Sequence, residues 1–400
     1  MKVVCIRPGL WAKATSPLLS FTHQEPLALA ILAGLTPNHV DFSAVDDRFE
    51  PIPYEVPWDL VALSVGTFEA RRAYAIADEF RRRGRRVVMG GFHPTFCPDE
   101  ALEHADAVAI GQAEGTWTAI LADAADGVLK PRYECPEQVS LDGVLPNRHV
   151  FAGKRYAPIS VVQSVRGCRF ACDFCAIQAF YRNRLYRRPV ADVLSELRAA
   201  GRRRVFFADD HLIADRDAAT ELLIAIRPLG LKWTTQISID VVDDPALMDL
   251  LVTSGCQSVV IGLESLHEDN LGQMRKGWSR VSEYGDRLAA LRQRGIMVYG
   301  TFVFGYDHDT LDSVTTTLEF ALRHKLFLAN FNHLPPYPGT PLYRRLEESG
   351  RLRYPKWWLD PRYHWGDVAF IPKNMAPDEL ADACHRARST FHNIFNILGR

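Results

Sequence analysis

Short apolar runs alternate with amphipathic stretches along most of this chain. K-V-V-C-I opens it at residue 2, and D-L-V-A-L-S-V, R-V-V-M-G-G and A-D-A-V-A-I-G follow at comparable intervals. Apolar runs of that length, ended by small or polar residues, predict strands buried on both faces. Between the second and third lies A-R-R-A-Y-A-I-A-D-E-F-R-R-R-G, where Ala70, Ala73, Ile76, Ala77 and Phe80 share one helical face and Gly84 stands where the helix would end. Strand and helix in alternation predict an α/β domain over residues 1–130, a Rossmann-like, doubly wound parallel sheet.

Residues 131–158 interrupt the pattern with Pro131, Pro136, Pro146 and Pro158 among polar side chains, and are expected to be a linker. Alternation resumes at S-V-V-Q-S-V. It continues through R-V-F-F-A-D-D, W-T-T-Q-I-S-I-D, S-V-V-I-G-L-E, V-Y-G-T-F-V-F-G and L-A-N-F-N-H-L, with helical stretches such as V-L-S-E-L-R-A-A and Y-G-D-R-L-A-A-L-R-Q-R-G between. Six βα units in succession over residues 159–345 suit a partial (β/α)6 barrel of the TIM type better than a closed one. Residues 346–400 add an aromatic stretch, Y-P-K-W-W-L-D-P-R-Y-H-W-G, and a helix from about Pro377 to Leu398. The aromatics read equally as a wall of the substrate site or as a hydrophobic plug.

Composition narrows the function. At 47% hydrophobic and 24% charged, the chain has the makeup of a folded protein throughout. A net charge of -1 gives no field to attract nucleic acid or an anionic membrane, so neither partner is expected. The N-terminus lacks signal-peptide anatomy and no run of about 18 apolar residues occurs, so a cytoplasmic address is expected. Of eight cysteines, only Cys168, Cys172 and Cys175 cluster, a pattern for metal or redox chemistry and not for a disulfide framework.

Small and polar residues stand where the predicted strands end. In the first domain these are Ser64, Gly66, Thr67, Gly90, Gly91 and Gly111. Ligands of open α/β sheets sit outside the carboxyl ends of the strands, where glycines let a flat molecule approach the backbone. In the barrel the polar ends are Asp209 and Asp210, Ser238 and Asp240, Glu264, Asp307 and His333, which are expected to converge on one active face. Asp215 and Asp244 read as helix N-caps.

Three thiols in one loop can face a single inorganic centre but are too few for a closed structural zinc site. The 35 residues after Cys175 contain neither His nor Cys, so zinc would need a distant histidine, an alternative that stays open. A [4Fe–4S] cluster with one iron left open suits three cysteines better. Cys168-x-x-x-Cys172-x-x-Cys175, with Phe174 before the last cysteine and the motif at the head of six βα units, resembles the cluster loop of radical S-adenosylmethionine enzymes. R-R-P-V-A-D-V-L-S-E-L, F-F-A-D-D-H, I-G-L-E-S, G-T-F-V-F-G-Y-D and P-Y-P-G-T-P-L-Y, with V-V-M-G-G-F-H-P-T and A-D-A-V-A-I-G-Q-A-E-G-T-W upstream, are similar to the subgroup with an N-terminal cobalamin-binding domain.

The resemblance implies a [4Fe–4S] cluster on Cys168, Cys172 and Cys175, S-adenosylmethionine chelated to the fourth iron, and its reductive cleavage to a 5′-deoxyadenosyl radical that functionalises an unactivated carbon of a small molecule. It implies cofactor contacts from Phe174, Asp209, Asp210, Ser238, Asp240, Glu264 and Lys276, although Lys276 by itself reads as a surface lysine. Cobalamin would lie against Ser64, Gly66, Thr67, Gly90, Gly91 and Gly111, and C-methylation through it is the leading expectation. The histidine motif D-x-H-x-x-G is absent: His93 has neither the Asp two before nor the Gly three after. The alternative is a cobalamin-independent cyclisation, rearrangement, oxidation or other group transfer with the N-terminal domain as scaffold. A non-catalytic iron–sulfur or zinc protein is a third reading. A single-electron donor such as flavodoxin or ferredoxin is implied, and no catalytic side chain is singled out.

Overall fold

The computed structural model describes residues 1–10, 23–393 and 396. By chain contacts they fall into two units, Met1–Val162 with Tyr186–Arg202, and Gln163–Leu185 with the residues from Arg203 onward.

The first unit holds a six-stranded parallel sheet of β1 (Lys2–Arg7), β2 (Asp41–Asp46), β3 (Leu60–Ser64), β4 (Arg86–Gly90), β5 (Ala107–Ile110) and β6 (Arg132–Glu134), in the order β2-β1-β3-β4-β5-β6. The central strands are apolar because both faces are covered: Val3, Val4, Cys5, Ile6, Leu60 and Val61 are wholly buried. The helix Ala70–Arg82 buries the five predicted residues and Tyr74, and ends before Gly84, with Arg82 and Arg83 pairing back to Glu79. Those arginines lie at the negative end of the helix dipole.

Two strands were not expected. β2 and β6 are the edges of the sheet, and only one face of an edge strand's end need be apolar; in β6 a single residue, Tyr133, is buried. β6 starts the segment read as a linker, and apolar residues further along that segment are buried. Leu141 and Val144 are buried against Ile31, and Phe151 joins the main core of the unit. The prolines mark irregular backbone there, not an open tether.

β7 (Ser160–Val162) precedes the cysteine loop, and β8 (Val165–Arg166) and β9 (Tyr186–Arg187) are two-residue strands flanking it in sequence. In the second unit β10 (Arg204–Phe207), β11 (Lys232–Ile237), β12 (Cys256–Glu264), β13 (Met297–Phe304) and β14 (Leu328–His333) pair in parallel and in sequence order. That linear order is the wall of an open barrel. Asp215 and Asp244 do cap helices, accepting from the N–H of Ala218 and Leu247 at 3.0 Å. No helix among the described residues is long and apolar enough to cross a membrane.

The helix Pro377–Phe391 lies on β14, with Phe391 against Phe331 at 5.8 Å between ring centroids and Arg388 donating to the Phe331 carbonyl at 2.5 Å. The helix ends at Phe391, and of its expected continuation to Leu398 only His392, Asn393 and Asn396 fall among the described residues. In the aromatic stretch Trp357 and Trp358 are buried, and Trp357 Nε1 donates to the Pro336 carbonyl at 2.8 Å, while Trp365 is exposed.

Phe391 is fully buried, so Phe391→Ala should cost about 3–5 kcal/mol of stability. Denaturant unfolding followed by circular dichroism checks this, and a change below about 1 kcal/mol would mean that the helix is not part of the barrel's core.

Candidate active site

The cysteine loop is held from below by the end of β10. Asp209, wholly buried, accepts from the Ser164 N–H at 2.6 Å, the Ser164 hydroxyl at 2.6 Å and the Val165 N–H at 2.9 Å. Asp210 accepts from the Gly167 N–H at 2.7 Å. Gly167 has φ +87, and a Cβ there would run into the Arg184 carbonyl, so the residue before Cys168 must be glycine. Asp209 thus positions the loop. Burial raises the Asp210 carboxyl to about 7, against the opposing Gly167 N–H.

All three clustered cysteines are free and partly buried. Burial pushes their thiols up, Cys172 to about 12 and Cys175 to about 11. Neutral thiols of this kind become thiolates on meeting a cationic centre. Phe174, between Asp173 and Cys175, is half-buried.

The ends of β11 and β12 meet this loop. Ser238 bonds to Asp240, whose other oxygen takes Arg169 at 2.7 Å and Arg216 at 3.5 Å. Burial would raise the Asp240 carboxyl, but the Ser238 bond and the two arginines outweigh it and hold it low. His211 Nε2 lies 2.8 Å from Ser238 Oγ. Glu264 sits at φ +65, left-handed backbone that costs a non-glycine residue about 1–3 kcal/mol, at a register shift between β12 and β13. Its Oε1 accepts from Lys276 Nζ at 2.9 Å, and Lys276 also donates to the Gly262 carbonyl at 2.5 Å.

Lys276 is therefore not a surface lysine; it is 6% exposed. Burial works against its charge, yet Glu264 and Cys172 more than compensate and raise its pKa. A Cβ on Gly262 would overlap the Glu264 carboxylate and come 3.0 Å from Nζ, so that glycine makes room for the pair. Asp307 and His333, expected on the same face, are engaged elsewhere: Asp307 with Arg351 and Lys373, His333 with the Gly366 carbonyl.

Several site residues were missed from sequence. Phe170 stacks on Trp278 at 4.0 Å and 10°, lies 5.4 Å from the His211 ring, and carries the Arg169 guanidinium at 4.8 Å. Only Arg169 and Phe170, inside the cysteine spacing, gave a signal; Trp278 and Arg216 gave none. His211 Nδ1 and Trp278 Nε1 are buried without a hydrogen-bond partner among the described residues. Orphaned polar atoms beside three thiols, a buried ammonium and two strand-end carboxylates are what a polar, charged cofactor on a metal centre would satisfy.

In the first unit Ser64, Gly66 and Gly91 line a cavity of about 300 Å³ with Arg7, Glu69 and Phe92. Thr67, Gly90 and Gly111 are not among its lining residues: Thr67 is buried, Gly90 backs onto Ala109, and the Gly111 N–H donates to Thr95 at 3.0 Å. Burial lowers the pKa of Arg7 and raises that of Glu69, which lie 3.8 Å apart. His93 is fully buried, with Nε2 3.0 Å from the Tyr74 hydroxyl and 3.1 Å from Glu100. A cavity of about 430 Å³ lies elsewhere in this unit, around Arg148, Glu25 and Glu196. It touches none of the candidate residues, so size alone does not locate the chemistry.

Residues 162–321 match the radical SAM superfamily, and residues 23–121 match the B12 binding domain. Bacteriochlorophyllide d C-12(1)-methyltransferase of Chlorobaculum tepidum is 30% identical over 370 residues, 89% of this chain and 80% of that protein. The chain belongs to the radical S-adenosylmethionine superfamily, in the branch with a B12-binding domain. The C-8(2)-methyltransferase of the same organism is 31% identical over 84% of this chain and 80% of that one. Among solved structures, the cobalamin-dependent enzyme OxsB superposes with a TM-score of 0.75 at 15% identity, covering 96% of this chain and 66% of that one. TsrM of Kitasatospora setae, with cobalamin and a [4Fe–4S] cluster, gives 0.69 at 17%, covering 98% and 85%.

The protein is thus an enzyme that uses a [4Fe–4S] cluster, S-adenosylmethionine and cobalamin on a small molecule. Cobalamin-independence and the non-catalytic reading are set aside by the B12-binding match together with the superfamily match.

His211 yields a pH test. Burial lowers its pKa from 6.5 to about 4, so between those values the unfolded chain takes up a proton that the folded enzyme refuses. Stability should be complete above pH 6.5 and fall by up to about 3 kcal/mol as pH drops towards 4. His211→Asn should flatten that slope in denaturant titrations; parallel profiles for the two proteins would contradict the burial argument.

Proposed function

We propose that this enzyme transfers a methyl group to an unactivated carbon of its small-molecule substrate, using cobalamin as the methyl carrier. One observation carries the reading: a single chain pairs the three-thiol loop and its buried Lys276–Glu264 pair with a strand-end cavity in a B12-binding unit, and its relatives of 30 and 31% identity are C-methyltransferases over most of its length. When bound, the cluster supplies one electron to cleave S-adenosylmethionine, and cobalamin supplies the methyl group.

The chain's residues bind, orient and exclude water. Cys168, Cys172 and Cys175 would hold three irons, with Phe174 walling the cluster. Lys276 Nζ would face the carboxylate of S-adenosylmethionine and Asp210 or Glu264 its ammonium, while Ser238 and Asp240 would take the ribose hydroxyls. Ser64, Gly66 and Gly91 would approach cobalamin, with Thr67, Gly90 and Gly111 shaping the loops behind them. Because His93 is buried against Tyr74 and Glu100, it would not reach cobalt from where it stands. A flavodoxin- or ferredoxin-type protein would donate the electron.

Reconstitution with iron, sulfide and hydroxocobalamin under anaerobiosis, followed by desalting, should leave cobalt and about four irons per chain. Cys172→Ala should lose the iron and keep the cobalt. Iron retained without cobalt would overturn methyl transfer through cobalamin. Because the relatives are named for bacteriochlorophyllide d, alkyl-bearing tetrapyrroles are the first substrates to assay.

A further inference from the structure

Asp173 lies between two of the clustered cysteines, is 1% exposed, and has every polar group engaged. Its N–H donates to the Met274 carbonyl at 3.1 Å, and its carbonyl accepts from the Leu342 N–H at 3.0 Å. One carboxylate oxygen accepts from the Tyr306 hydroxyl at 2.5 Å and the other from Arg345 at 2.5 Å. Arg345 also lies over the Tyr306 ring at 5.9 Å. Tyr306 is 2% exposed and follows β13, and Arg345 belongs to the helix Pro341–Glu348. One residue therefore ties the stretch from Cys172 to Cys175 to three separate segments of the barrel unit.

We propose that Asp173, with Tyr306 and Arg345, is the positioning clamp of the iron–sulfur cluster: it fixes the Cys172–Cys175 spacing and sets the charge beside those two ligands. This rests on the reading that the three cysteines hold the cluster. A carboxylate put into a buried position between two thiolate ligands adds like charge, which a loop built only for packing would avoid. Arg345 offsets that charge and the Tyr306 hydroxyl completes its hydrogen bonding. Partners of this kind behind metal ligands govern both retention and tuning of a metal centre. Cluster reduction adds negative charge, so the net charge of this clamp bears on the potential at which an electron can be accepted.

The test uses the reconstituted full-length enzyme and the variants Asp173→Asn, Arg345→Gln and Tyr306→Phe. Iron release to a ferrous chelator and the cluster's midpoint potential are read, with thermal midpoint and retained cobalt as fold controls. Asp173→Asn and Arg345→Gln should release iron about 10- to 100-fold faster while retaining cobalt. Their potentials should shift in opposite directions, upward where the carboxylate is lost and downward where the guanidinium is lost. Tyr306→Phe, which keeps the ion pair, should speed release with little shift in potential. Release within twofold of the parent for all three, or faster release with both potentials moving the same way and cobalt lost in parallel, would overturn the clamp. A parent enzyme that held no iron would instead overturn the cysteine reading on which it rests.

Discussion

The site depends on the two carboxylates at the end of β10. A loop carrying three thiols has no regular secondary structure to hold it, and its backbone N–H groups must be satisfied as it leaves the sheet. Asp209 takes two of those N–H groups and a hydroxyl, and Asp210 takes a third one residue before Cys168. Buried carboxylates are costly unless several donors converge on them, so this arrangement commits the loop to one path. The glycine that precedes Cys168 is the backbone counterpart of that commitment.

Charge is then concentrated on one side of the loop. Lys276, pinned by Glu264 in a left-handed turn, places a buried ammonium beside Cys172, while Arg169 and Arg216 converge on Asp240. Both groupings join residues from separate elements, and each sets opposite charges against one another at the end of a strand. The stack of Phe170 on Trp278 links the loop to the segment of Lys276, so packing and electrostatics fix the same geometry.

What could be read from sequence was what is local. Central strands announce themselves because burial on both faces makes them apolar throughout; the edge strands β2 and β6 do not, since half their surface is free to be polar. The cysteine spacing is a local motif and was legible, as was the run of polar strand ends. Which of those ends share a site was not. Asp307 and His333 occupy the same kind of position as Glu264, yet they turn to Arg351, Lys373 and the Gly366 carbonyl. Lys276 looked like any exposed lysine because its burial comes from Glu264's positive φ and the room left by Gly262, neither of which a linear pattern carries. The hydrogen bonds from the Asp209 carboxylate to Ser164 and Val165 are likewise set by the fold and carry no signal in the linear pattern.

If this loop presents an open cluster to S-adenosylmethionine, reduction should cleave the bound molecule, and product analysis reads that cleavage. Cluster-loaded enzyme is incubated anaerobically with S-adenosylmethionine and a strong one-electron reductant, and 5′-deoxyadenosine is quantified against a Cys168→Ala, Cys172→Ala, Cys175→Ala triple variant. The parent enzyme should form 5′-deoxyadenosine and the variant none above background. A parent enzyme that carries its full iron, is reduced, and still leaves S-adenosylmethionine intact would contradict an open cluster at this loop.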